Sequence, residues 1–329
     1  MNRQHFLRAL VLGATFALGA GVVSTAGAQD FPSRAIRMMV PFNPGNSTDT
    51  IARRMAQLMS KKLNQPVIVE NKPGANAAIA AQAVVSAPAD GYTIFFASDS
   101  ALVLNPLLYK KLAYNPERDF TAIALAANVP QVMLVNASVP AKNVQEFIAY
   151  ARHNPGKLNF SSTGTGGAFH LAGEMFDQAT GVEMTHIPYT GGAPALQALL
   201  ADQVQVMFGV VGSALPYLHS GKLRALALVT GEPVAALPGV PTLHDSGYPD
   251  VEATIRYGLV ARKQTPPEVL ATLNDAASYA LADPDYRKTM TDEGYLVPEP
   301  HKPTQYDQWL AADRVRWAAV IKARHISLD

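Results

Sequence analysis

The chain contains no cysteine in its 329 residues, which excludes disulfides, thiolate metal sites, a cysteine nucleophile and a lipid-bearing cysteine at an export cleavage point. Net charge is also nearly absent, with 27 basic against 26 acidic residues and no basic stripe or Arg-rich tail. Neither nucleic acid nor an anionic membrane surface is therefore expected as the main partner. Beyond the N-terminus no apolar run is long enough to cross a bilayer, so no membrane insertion is expected once the leader is removed. A Gly-x-Ser-x-Gly elbow and a His-Glu-x-x-His motif are missing, and the eight histidines lie scattered without ligand spacing. The chain thus reads as a non-enzyme with no metal and no cofactor.

What is present begins with Arg3 and Arg8 ahead of an apolar stretch from Ala9 to Val23 that ends in Ala26-Gly27-Ala28. This is the layout of a secretory signal peptide over residues 1–28, with cleavage after Ala28. Removing it leaves 25 basic and 26 acidic residues, a net charge of −1. About 300 residues can bury a sufficient core without cross-links, so export without disulfides points to a bacterial periplasm.

Strands and helices alternate along the mature chain: Ile36 to Val40, a helix, Val67 to Glu70, a helix from about Ala75 to Ser86, then Tyr92 to Ala97. The rhythm restarts at Gln131 to Val135 and continues through strands near Leu158 to Ser161, Met184 to Pro188, Val204 to Phe208 and Leu223 to Val229. The last third supplies one strand, Tyr257 to Ala261, followed by helices that lack a sheet of their own. The expected fold is α/β, with two doubly wound lobes joined by a two-crossover hinge. Residues 29–129 plus 251–329 would form lobe 1 and residues 130–250 lobe 2, with ligands held at strand C-termini in the cleft.

Two strand-to-helix turns stand out as anion cradles. Pro41 to Asp49, which includes Phe42, Asn43, Gly45, Asn46, Ser47, Thr48 and Asp49, joins an apolar strand to a helix with apolar residues at helical spacing. Unpaired amides and the positive end of the helix dipole favour a carboxylate there. An ordinary connection N-capped by Ser47, Thr48 or Asp49 is the competing reading. The second turn, Ser161 to Gly167, offers backbone amides at Gly164 and its neighbours and the hydroxyls of Ser162, Thr163 and Thr165. It is neither a dinucleotide fingerprint nor a P-loop, and a flexible turn with good capping residues is the competing reading. Ser98 and Tyr189 lie at further strand ends, either on the cleft or as plain turn and packing residues. His170, inside the helix after the second turn, is either a donor to a bound anion or a histidine satisfied locally.

Taken in order, several segments carry a resemblance: Ile36 to Asp49, Pro66 to Gly74, Ala89 to Thr93, Asn105 to Phe120 with its Leu-Tyr-Lys-Lys-Leu core, Asn154 to Phe160, His170 to Glu174, Ile187 to Leu200, Gly221 to Leu228 and Arg316-Trp317. With them the chain resembles the Bug family, the periplasmic substrate-binding receptors of tripartite tricarboxylate transporters. The resemblance implies a two-lobed Venus-flytrap receptor, and a monomer is expected. Such a receptor captures a small carboxylate on backbone amides and ordered water from both lobes and passes it to a two-component membrane transporter. A sensory receptor for the same solutes, or a secreted enzyme, is the alternative. On this chain the family's binding loops correspond to Phe42 through Asp49 and Ser161 through Thr165.

Three departures from the family bear on specificity. Asn46 replaces a common glycine, Gly209 stands where an aspartate is frequent, and Arg256 stands where a tryptophan is common. A lost carboxylate and a gained guanidinium favour a second anionic group, unless Arg256 is a surface residue paired with Glu252. The small Gly209 would leave room for a bulky spacer. The expected ligand is therefore a dicarboxylate, with an aromatic one such as terephthalate as the specific expectation.

Overall fold

A computed structural model describes residues 31–328, and the architecture belongs to the unit that begins at Arg34. The signal peptide expected over residues 1–28, with its cleavage point, lies outside the described residues.

The chain opens with β1 (Ile36–Val40) and α1 (Ser47–Leu63). Ile51, Met55 and Met59 recur every four residues and form the buried face of α1, as an amphipathic helix on a sheet requires. Acidic Asp49 in its first turn and Lys61 and Lys62 in its last match the helix dipole, and Asn64 closes it in the left-handed conformation. β2 (Val67–Asn71) follows. The helix expected from Ala75 is regular only over α2 (Ala78–Val85), because Ala75, Asn76 and Ala77 all adopt positive φ. The side chain of Asn105 braces this turn, exchanging hydrogen bonds of 2.8 and 2.9 Å with Asn76.

β3 (Thr93–Ser98) is buried along its whole length. β4 (Phe120–Val129) is a strand that the sequence reading did not contain. Ala122, Ala124, Ala126 and Ala127 give it little intrinsic strand preference, and its place between packed layers decides the conformation. Only Pro130 separates it from β5 (Gln131–Asn136). The second half then runs through α3 (Val144–His153), β6 (Asn159–Ser162), α4 (Ala168–Thr180), β7 (Thr185–Pro188), α5 (Gly192–Leu200), β8 (Val206–Val210), α6 (Val211–His219) and β9 (Leu223–Leu228). The chain returns with β10 (Ile255–Arg262) and ends in α7 (Pro267–Ala282), α8 (Pro284–Asp292) and α9 (Pro303–Ala323).

Two five-stranded sheets result, ordered β2-β1-β3-β10-β4 and β7-β6-β8-β5-β9. Both are mixed. β10 runs antiparallel to β3 and β4, and β5 antiparallel to β8 and β9. Each inserted strand starts at the crossover and runs away from it, whereas β1, β3, β6 and β8 run towards it, so the ends that carry the candidate turns face the junction. The crossover segments are laced together. Val229 N–H donates to Gln131 O at 2.8 Å, Ala253 N–H to Val229 O at 2.8 Å, and the buried Gln131 side chain to Ala253 O at 2.7 Å.

Candidate functional site

The turn before α1 is built by side chains that the sequence reading offered to a ligand. Asn46, and not Ser47, Thr48 or Asp49, is the N-cap: its Oδ1 accepts the Asp49 N–H at 2.9 Å. Asp49 is buried, and its carboxylate accepts Gly45 N–H, Arg53 Nε and Asn71 Nδ2 at 2.8 to 2.9 Å. Burial would raise its carboxyl, but these hydrogen bonds outweigh that and hold it below the usual range. Gly45 turns the chain at φ 83°, Asn43 is exposed at the rim, and Phe42 is half-buried with its carbonyl accepting from Asn71.

What this scaffold leaves available is the first pair of helix amides. Among the described residues no hydrogen bond takes up the N–H of Ser47 or Thr48. Two phenols that the sequence reading did not single out converge here. The Tyr257 hydroxyl lies near the side chains of Thr48 and Ser47, and that of Tyr295 near Ser47. Burial pushes Tyr257 well above the ordinary phenol range and Tyr295 up to about 12, so both remain neutral donors. Ser98 lies directly opposite Tyr257 in the β3–β10 ladder and therefore shares its face. It is 1% exposed, and its hydroxyl has no hydrogen-bond partner among the described residues. A buried hydroxyl without a partner is costly unless something else supplies one.

On the second lobe, Ser162 is fully buried. Its hydroxyl accepts Gly164 N–H at 3.1 Å and lies 2.6 Å from His186 Nε2. Burial, reinforced by the neighbouring His170 ring, pushes His186 down to about 4, so its ring is neutral. Tyr189 is half-buried, and its N–H is pinned to Ser162 O at 3.0 Å. Thr163 and Thr165 are exposed. His170 is satisfied locally: its Nδ1 accepts Gly166 N–H at 3.1 Å, and its Nε2 lies 3.4 Å from Glu174. Among the described residues no hydrogen bond or ion pair joins this turn to the one before α1.

The two sheets do meet elsewhere. A Cβ placed on Gly212, in the first turn of α6, would fall 2.4 Å from the Glu293 carbonyl oxygen and 3.5 Å from the Tyr295 hydroxyl. Only glycine admits that approach, which sets the turn at residues 293–295 of the first lobe against the second.

Both specificity expectations are corrected by the geometry. A Cβ on Gly209 would come 3.2 Å from Leu134 and 3.3 Å from Met207, so the space beside this glycine is already filled. Arg256 is paired neither with Glu252 nor with an open cleft. Its guanidinium bonds to the buried Asp313 of α9, while Glu252 pairs with Arg316. Adjacent strand residues point to opposite faces, so Arg256 faces α9 where Tyr257 faces α1. A cavity of about 460 Å³ beside Arg256, which includes Glu232, His301 and Trp309 in its lining, contains no residue of either turn.

The model of the tripartite tricarboxylate transporter family receptor matches residues 51–326. The chain is 32% identical to Protein BugT of Bordetella pertussis over 97% of its own length and 98% of that protein. Among solved structures it is similar to R. palustris Rpa4515 with adipate, with a TM-score of 0.84 and 32% identity over 91% of this chain and 99% of that one. MatC from Rhodopseudomonas palustris with bound malate gives a TM-score of 0.80 and 35% identity over 88% and 100%. These similarities run through both lobes, their sheets and their crossovers, and the chain belongs to the family of tripartite tricarboxylate transporter receptors, with the two-lobe periplasmic binding protein fold.

Proposed function

We propose that this chain is a periplasmic receptor that closes on a small carboxylate and hands it to a two-component membrane transporter, performing no chemistry on it. The observation that carries this reading is the cluster at the start of α1. There the free amides of Ser47 and Thr48, the neutral hydroxyls of Tyr257 and Tyr295 and the partnerless Ser98 hydroxyl are gathered, while the Asp49 carboxylate of the same turn is taken up by Gly45, Arg53 and Asn71. Donors of this kind, at the positive end of a seventeen-residue helix, offset the desolvation of one carboxylate group. In this reading lobe 1 comprises residues 29–129 plus 251–329 and lobe 2 residues 130–250. Ser162 to Thr165 and Tyr189 approach the ligand from lobe 2.

The ligand we infer is a dicarboxylate. The complexes of family relatives with adipate and malate support an aliphatic one. The aromatic alternative, terephthalate, has lost the support of Gly209 and Arg256, since neither opens space or charge towards α1. Thermal shift of the mature protein, refolded from denaturant to strip bound solute, tests this against adipate, malate, terephthalate, citrate and glutamate. A selective rise in Tm with an aliphatic dicarboxylate is expected, because only the folded state binds. No shift with any carboxylate would overturn the receptor reading.

A further inference from the structure

The glycine-rich turn of the second lobe is held by a chain of side chains that reaches the other lobe. Gly166 N–H donates to His170 Nδ1 at 3.1 Å, so that nitrogen carries a lone pair and the neutral ring keeps its proton on Nε2, facing Glu174 Oε1 at 3.4 Å. The other Glu174 oxygen accepts Arg324 through Nε at 2.7 Å and a terminal nitrogen at 2.6 Å. Arg324 begins the arm after α9, and that arm also gives Leu328 N–H to Leu108 O at 3.1 Å. The side chains of Leu108 and Leu328 occupy the space beside Gly166, where a Cβ would come within 2.8 and 2.9 Å of them. On its other side the His170 ring stacks on His186 at 3.9 Å, and His186 contacts Ser162.

These bonds decide which amides the turn displays. Gly164 N–H goes to Ser162 and Gly166 N–H to His170, both inward. Among the described residues nothing takes up the N–H of Thr163 or Thr165, and both residues are exposed. Gly164 and Gly166 sit at φ 130° and 76°, where glycine tolerates peptide rotations that other residues resist. Without an acceptor for Gly166 the plane between Thr165 and Gly166 would be free to turn.

We propose that His170 is a positioning residue for the bound acid: it holds Gly166 inward so that the turn presents the Thr165 amide, and it ties that setting to the first lobe through Glu174 and Arg324 without touching the ligand. This rests on the receptor reading above.

The test separates the two. In the wild-type protein without added acid, ¹⁵N histidine spectra should show the Nε2–H tautomer for His170, and amide exchange should show Gly166 protected. His170→Leu should speed Gly166 exchange and weaken adipate binding, each by about tenfold, the scale of one lost hydrogen bond. His170→Asn, whose Oδ1 sits near the position of Nδ1, should restore most of both. An Nδ1–H tautomer, or Gly166 exchange unchanged by His170→Leu, overturns the proposal. The tautomer is read on the wild type, so a variant that fails to fold leaves the decision intact. Protected Gly166 with no binding of adipate, malate or terephthalate would overturn the receptor reading instead.

Discussion

The Arg54 guanidinium grips the Glu293 carboxylate through two hydrogen bonds, of 2.6 and 2.8 Å. Because Arg54 is rooted in α1, this fork holds the turn at residues 293–295 where its Glu293 carbonyl meets Gly212 and its Tyr295 hydroxyl meets Ser47. The contact is possible only while the lobes are close. Gly212→Val should therefore keep them apart. Small-angle scattering with saturating adipate should show no contraction, and affinity should fall about tenfold or more. Unchanged scattering and affinity would mean that this turn is not part of the closing surface.

Arg256 is expected to act on stability. Asp313 is 6% exposed and is left with Arg316 alone, at 2.9 Å, once Arg256 is removed. Arg256→Leu should cost about 2–4 kcal/mol in urea unfolding, somewhat below the ~3–5 kcal/mol for breaking a fully buried pair, because the Arg256 side chain is 18% exposed and Arg316 stays on Asp313. Adipate affinity of the folded fraction should change less than about threefold. The opposite pattern, intact stability with lost affinity, would restore Arg256 as a clamp for a second carboxylate.

Asp177 gives the fold a pH dependence. Its Oδ2 accepts Met184 N–H at 2.9 Å, its Oδ1 has no partner among the described residues, and burial pushes it up to about 7 from 3.8. The folded chain then keeps a proton that the unfolded chain releases, so this group contributes stability below about pH 4 that is lost as pH rises to about 7. Asp177→Asn keeps the Met184 acceptor and should flatten that loss. Its unfolding free energy should exceed that of the wild type at pH 8, by at most about 4 kcal/mol, and approach it below pH 4. Parallel curves for the two proteins would refute the assignment.

Exposed Ala75 sits at φ 45°, in a region that disfavours any side chain. Ala75→Gly should raise stability by about 0.5–1 kcal/mol, the gain being what remains after glycine's added unfolded-state entropy. Destabilisation in urea would show that the methyl group contributes more than the strain costs.

The α/β alternation and most strands were legible because apolar periodicity is a local signal. β4 was not, since its alanines carry no such signal and only its neighbours make it a strand. At the site, the strand-to-helix turn before α1 could be read from residue types, but the division of labour within it could not. Asn46 and Asp49 look like ligand residues until their bonds to Asp49 N–H, Gly45, Arg53 and Asn71 are known. Tyr257 escaped notice beside Arg256 because a strand's period of two assigns neighbours to opposite faces, and which face meets α1 is set by the sheet order. Gly209 looked like open space because a missing side chain says nothing about what has moved in; Leu134 and Met207 occupy it.

The laced crossovers bear on how such a receptor can signal that it is full. One crossover is a lone proline, whose ring holds φ near −65°, and the other is stitched to it through Gln131, Val229 and Ala253. Two strands bound side by side at that point cannot slide or twist independently, so the lobes share a single axis and closure reduces to one angle. A ligand's length is then translated into that angle, and a membrane partner that touches both lobes would distinguish solutes by the angle alone, without contacting the solute.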